Sequence, residues 1–131
     1  MKEFLRIILM LVIPGPVTFP TDVTDVLEAK HIRYEIVAEV PEGHDAFYSF
    51  KNDTIYFSKE ASDKTFRLSY LAAHELIHRD RFLAGIMTND EKEEERIAIF
   101  GAEQKAREVG LPSFEIDEQK VFEKTCKDRG L

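Results

Sequence analysis

The chain has 131 residues, 44% hydrophobic and 33% charged, which is the length of one domain able to bury a core. Eighteen Lys and Arg against 25 Asp and Glu give a net charge of −7, which argues against nucleic acid as a main partner because the chain repels phosphate backbones. The single cysteine, Cys126, excludes an intramolecular disulfide and a cysteine-based zinc site, and it fits a reducing, cytoplasmic setting.

In chain order, residues 4–13 (FLRIILMLVI) are strongly apolar and stop at Pro14-Gly15-Pro16. The run is about half the roughly 20 residues needed to span a bilayer, so no membrane span is expected. Glu3 stands where a signal peptide would be basic, and no small-x-small cleavage site follows Pro16. A buried element packed on the core is therefore expected rather than an export signal. After Pro20, the cap Thr21 and a stripe of Val23, Val26, Leu27 and Ile32 predict a short helix. Residues 33–40 (RYEIVAEV) alternate as a strand does and end at Pro41-Glu42-Gly43. Residues 46–50 and 54–57 predict two strands of a hairpin turned by Lys51-Asn52-Asp53. A small, mostly antiparallel sheet follows.

Ser62 or Asp63 is then expected to cap a helix carrying Phe66, Leu68, Tyr70, Leu71, Ala72, Ala73, Leu76 and Ile77. It is apolar nearly all round, so it belongs at the centre of the fold. A further helix starts at the cap cluster Thr88-Asn89-Asp90, sets Ala98, Ile99, Ala102, Ala106 and Val109 on one face, and stops at Gly110. Residues 116–127 predict a last amphipathic helix. Helix, small sheet, then helices is an α+β layout, in a single domain over residues 1–131.

The central helix contains H-E-L-I-H: His74, Glu75 and His78. Positions four apart share a helix face, so the two imidazoles can meet one ion. Glu75 is rotated about 100° from His74 and falls beside that ion, where it can touch a bound water. Two His ligands and one general base are the parts of a helical zinc hydrolase site. Two imidazoles and a carboxylate buried in so apolar a helix would cost several kcal/mol without a partner, which a metal supplies.

A catalytic zinc needs a third protein ligand. His31 and His44 are the remaining histidines, and Glu91, Glu93, Glu94 and Glu95 open the next helix. Glu95 is favoured, because it shares a face with Ala98, Ile99 and Ala102, whose small side chains allow close approach to the central helix. Glu94 is next in line.

These residues resemble the zincin metallopeptidases, and among them the ImmA/IrrE-like group. The resemblance runs from about residue 16 to 106 and rests on "PTDVTDVLEAKHI", "TIYF", "RLSYLAAHELIH" and "ERIAIFGAE". Arg67, Ala73, His74, Glu75 and His78 match the group's A-H-E-x-x-H segment. Glu95-x-x-Ala98 matches its E-x-x-A, although Ile99 replaces the usual asparagine, and alignment on Phe100 would select Glu94 instead. The resemblance implies a zincin-like fold with a sheet over the active-site helix. It also implies Zn2+ on His74, His78 and Glu95, with Glu75 as catalytic base. The substrate would be a protein or peptide laid along the edge of the hairpin at residues 46–57, a regulatory partner being one class the resemblance implies. Tyr70, one turn before His74, is a candidate for stabilising an oxyanion and also fits a buried core residue. Two rivals stand beside this reading: a non-catalytic protein-binding module with a structural or absent metal, and an intact enzyme whose cleft is covered by the apolar segment or the last helix.

Overall fold

The computed structural model describes residues 20–62 and 65–131. The apolar element expected at residues 4–13 and the cap expected at Asp63 lie outside them. The first helix, α1 (Thr21–Ala29), is entered through Pro20, whose φ of −63° and ψ of 98° place it outside the helix as its N-cap. Its carbonyl, not a Thr21 hydroxyl, receives the first amides, those of Val23 and Thr24 at 3.1 and 3.3 Å. The expected cap is therefore displaced by one residue, because proline already holds the extended backbone a cap requires.

Strand β1 (Arg33–Val37) is shorter than expected, for Ala38 and Glu39 are exposed and the last rung is Lys59 N–H to the Val37 carbonyl at 2.8 Å. Strands β2 (Ala46–Ser49) and β3 (Thr54–Ser58) form the expected hairpin. The sheet order is β1-β3-β2. β2 pairs antiparallel with β3, from Ala46 opposite Phe57 to Ser49 opposite Thr54. β1 pairs parallel with β3, from Arg33 opposite Thr54 to Val37 opposite Ser58. The sheet is thus mixed rather than mostly antiparallel. Every residue of β3 is buried, so it takes the central place where both faces and both edges are covered, and residues 38–45 carry the chain past it to the far edge.

A 3-10 turn (Glu60–Ser62) leads to α2 (Thr65–Leu83). Helix α3 (Glu91–Val109) opens at Asp90, whose carboxylate accepts the Glu93 N–H, and closes at Gly110 in the left-handed region, both as read from the sequence. Helix α4 (Glu118–Arg129) starts two residues later than expected, because Asp117 caps it by accepting the Lys120 N–H.

The core lies between the sheet and α2. Val23 and Leu27 of α1 and Ile36, Ile55 and Phe57 of the sheet pack on Leu68, Leu71, Ala72 and Leu76 of α2. Burying side chains of this size contributes roughly 1.5–3 kcal/mol each. The other flank of α2 meets α3 through Ala98, Ile99, Ala102 and Ala106, all buried. The fit is close enough that a Cβ on Gly101 would stand 3.2 Å from Ile77 Cδ1. Charged ties fix the same helix at three points: Arg67 to Asp45 at 2.5 Å, Arg79 to Asp53 at 3.1 Å and Lys105 to Asp80 at 2.7 Å. The outcome is an α+β fold with α2 held between sheet and helix. Among the described residues no helix is long and apolar enough to cross a membrane.

Candidate metal centre

Where α2 faces α3, its apolar surface is interrupted by His74, Glu75 and His78. His74 and Glu75 are each only 4% exposed. The two imidazole rings stand one turn apart with centroids separated by 4.8 Å and planes at 71°. The small residues on the facing helix bring Glu95 against them. Glu95 Oε1 is 3.1 Å from His74 Nε2, and Glu95 Oε2 is 2.8 Å from His78 Nε2. The two Nε2 atoms are 3.1 Å apart. His74, His78 and Glu95 therefore offer one donor atom each within a single small triangle.

That triangle fits a cation. Ligands 2.0–2.1 Å from a tetrahedral zinc are separated from one another by about 3.3 Å, close to the spacings seen here. If each Nε2 donates to Glu95, two N–H groups face each other at 3.1 Å. A cation between them would instead meet lone pairs from all three groups.

The carboxylate is tuned accordingly. Burial pushes Glu95 upward, but hydrogen bonds from His74 and His78 outweigh it and hold the carboxyl far below its ordinary range. His78 moves the other way: burial lowers it, and its bond to Glu95 with the nearby carboxylates raises it above an ordinary histidine. Tyr70 sits one turn before His74 with its hydroxyl 3.1 Å from His74 Nδ1. That contact fixes the ring so that Nε2 faces Glu95. Tyr70 touches the ligand's far nitrogen, and burial first, then the Glu75 and Glu95 charges, raise its phenol pKa. Glu75 is not in the triangle, its nearest oxygen lying 3.9 Å from His74 Nε2. Burial raises its pKa above that of an ordinary carboxylic acid, against the pull of His74 and His78.

The other acids and histidines weighed from the sequence go elsewhere. Glu94 turns away from the triangle into the fork of Arg81, with Nε at 2.9 Å and Nη2 at 2.8 Å, and takes Thr88 N–H and Oγ at 3.1 Å each. Glu93 pairs with Arg96 on the surface, and Glu91 is exposed. His31 closes α1 with φ of 58°, exposed. Asp80 faces Arg79 and Lys105.

Two further residues stand in the cleft: Arg129, not singled out in the sequence, and His44, weighed there as a third ligand but outside the triangle. Arg129, the last residue of α4, places Nη1 2.8 Å from Glu95 Oε1 and donates from Nε to the Gly43 carbonyl at 3.2 Å. His44, on the loop between β1 and β2, lines the same hollow as Glu75, His78 and Glu95; burial, then the Arg129 charge, lower its pKa. No local pattern marks either, since both arrive through packing between segments far apart in the chain. Two hollows flank the centre, of about 250 and 260 Å³. The first is bounded by Ala46, Tyr70, His74 and α4, the second by Phe47, Tyr48, Phe50, His78 and Met87, and Glu75 and Arg129 border both.

No protein-family model matches the chain, and neither a curated protein nor a solved structure matches it.

Proposed function

We propose that the protein is a zinc-dependent metallopeptidase of zincin type that hydrolyses peptide bonds in a protein or peptide substrate. The observation that carries this reading is the meeting of His74 Nε2, His78 Nε2 and a Glu95 oxygen in one triangle, with the carboxyl group of Glu75 beside it. His74, His78 and Glu95 would hold the ion. Bound zinc supplies Lewis acidity for the scissile carbonyl and draws the pKa of water toward about 7.

Every other task falls to the chain itself. Glu75 takes the proton of the attacking water and delivers it to the leaving amine. Its burial raises its basicity, which suits a group that must accept that proton. Tyr70 keeps the His74 ring in place through Nδ1. Among the described residues β2 is an edge strand of the sheet, so its outer side can pair with the main chain of an extended substrate. The hollows on either side of Glu75 would take substrate side chains. The resemblance of A-H-E-L-I-H and E-R-I-A to the ImmA/IrrE-like zincins points to the same chemistry and to a regulatory protein as one class of substrate. A reducing, cytoplasmic setting fits the lone Cys126.

The test is Glu75→Gln, assayed against a peptide library and a co-expressed candidate regulator. Zinc content should be unchanged, while cleavage should fall at least about 100-fold, the scale of lost general-base help. Equal cleavage by the two proteins would refute the mechanism. Absence of cleavage by either, with partner binding intact, would favour a non-catalytic binding module instead.

A further inference from the structure

The position of Arg129 says more about the same centre. Its guanidinium spans the cleft, bonded on one side to Glu95 Oε1 at 2.8 Å and on the other to the Gly43 carbonyl at 3.2 Å. Glu95 Oε1 is also the atom that approaches His74 Nε2. Gly43 is built for this closure. Its φ is +81°, and a Cβ there would stand 3.0 Å from the Asp128 carbonyl oxygen and 3.3 Å from Arg129 Cγ. Only glycine lets the loop lie this close to the end of α4. Yet α4 is lightly held: none of its residues is buried, Lys124 spends its charge on Asp128 within the same helix, and Phe122 meets a Phe100 that is itself exposed.

We propose that α4 and the loop at residues 38–45 form a strap over the centre, latched by Arg129, and that the latch competes with a divalent cation for Glu95. The competition rests on the metal reading above; the strap does not. A cation bound by Glu95 would take up its negative charge and repel the neighbouring guanidinium, so binding loosens the strap and joins the two hollows into one groove. By reciprocity the closed strap weakens cation binding. The device keeps the cleft divided until the centre is loaded.

Full-length parent, Arg129→Gln and Gly43→Ala are compared, after circular dichroism and thermal melting have shown that each is folded. Amide hydrogen exchange is followed over residues 38–45 and 118–129 without metal and with zinc, and zinc affinity is read by chelator competition. Without metal, both variants should exchange at least about tenfold faster in these segments than the parent, since Arg129→Gln removes a charge-assisted bond and the added Cβ of Gly43→Ala pushes the loop off the end of α4. Arg129→Gln should bind zinc about tenfold more tightly. Zinc should speed exchange of the same segments in the parent. Unchanged exchange in Arg129→Gln, or zinc-induced slowing in the parent, overturns the strap while leaving the metal centre standing. Weaker zinc binding by Arg129→Gln overturns the competition. If none of the three proteins binds zinc, the metal reading falls and the competition with it, and exchange alone then decides the strap.

Discussion

Glu94→Gln should cost about 3 kcal/mol of folding stability at pH 7 and leave the metal centre's donors in place. The magnitude follows from the surroundings of the carboxylate. It is 4% exposed and takes two bonds from Arg81 and two from Thr88. Those bonds, the Arg81 fork foremost and against the opposing effect of burial, hold it down to about 2 from an ordinary 4.5. A fall of that size corresponds to about 3 kcal/mol, at roughly 1.4 kcal/mol per pKa unit. Because folding lowers the pKa, the contribution is complete above about pH 5 and fades as the pH falls toward 2. Urea unfolding of parent and variant should therefore show a gap of about 3 kcal/mol at pH 7 and about 1 kcal/mol at pH 3. At neutral pH the variant should melt about 10 °C lower. A gap under about 1 kcal/mol at pH 7, or one that does not narrow with acid, would refute the clamp. Loss of zinc binding in a folded Glu94→Gln would show that the roles of Glu94 and Glu95 are reversed.

Tyr70→Phe should weaken zinc binding about tenfold with little change in the fold, because only the hydroxyl on His74 Nδ1 is lost; unchanged affinity would remove Tyr70 from the centre. Glu75→Gln should stabilise the metal-free protein by about 1 kcal/mol, since a carboxylate buried at 4% exposure becomes a neutral amide. A lower urea midpoint for that variant would mean Glu75 is held by partners that lower its cost.

Local chemistry made some of this legible in the sequence. The i, i+4 spacing of His74 and His78 depends only on helix geometry, and Asp90 and Gly110 act on their own neighbours. The choice of Glu95 over Glu94 followed from helix phase, because Ala98 and Ala102 mark the face that meets α2. What the sequence hid was long-range. Parallel pairing of β1 with β3 depends on which strand wins the central place, and the alternation of residues 33–40 does not encode a neighbour. The Arg81 fork that removes Glu94 depends on the course of the loop at residues 84–90. Arg129 reaches Glu95 only because Gly43, 86 residues earlier, admits the end of α4. In a helix with no buried residue, periodicity gives no signal of where it docks.

The central claim is that His74, His78 and Glu95 are the ligands of one zinc ion. Its most direct test is the metal content of native protein grown with zinc, paired with anomalous scattering at the zinc edge. The account expects about one zinc per chain between the two imidazoles and Glu95, lost in folded His74→Ala and Glu95→Gln variants. Native protein free of any transition metal, or a zinc bound away from these three side chains, would contradict it.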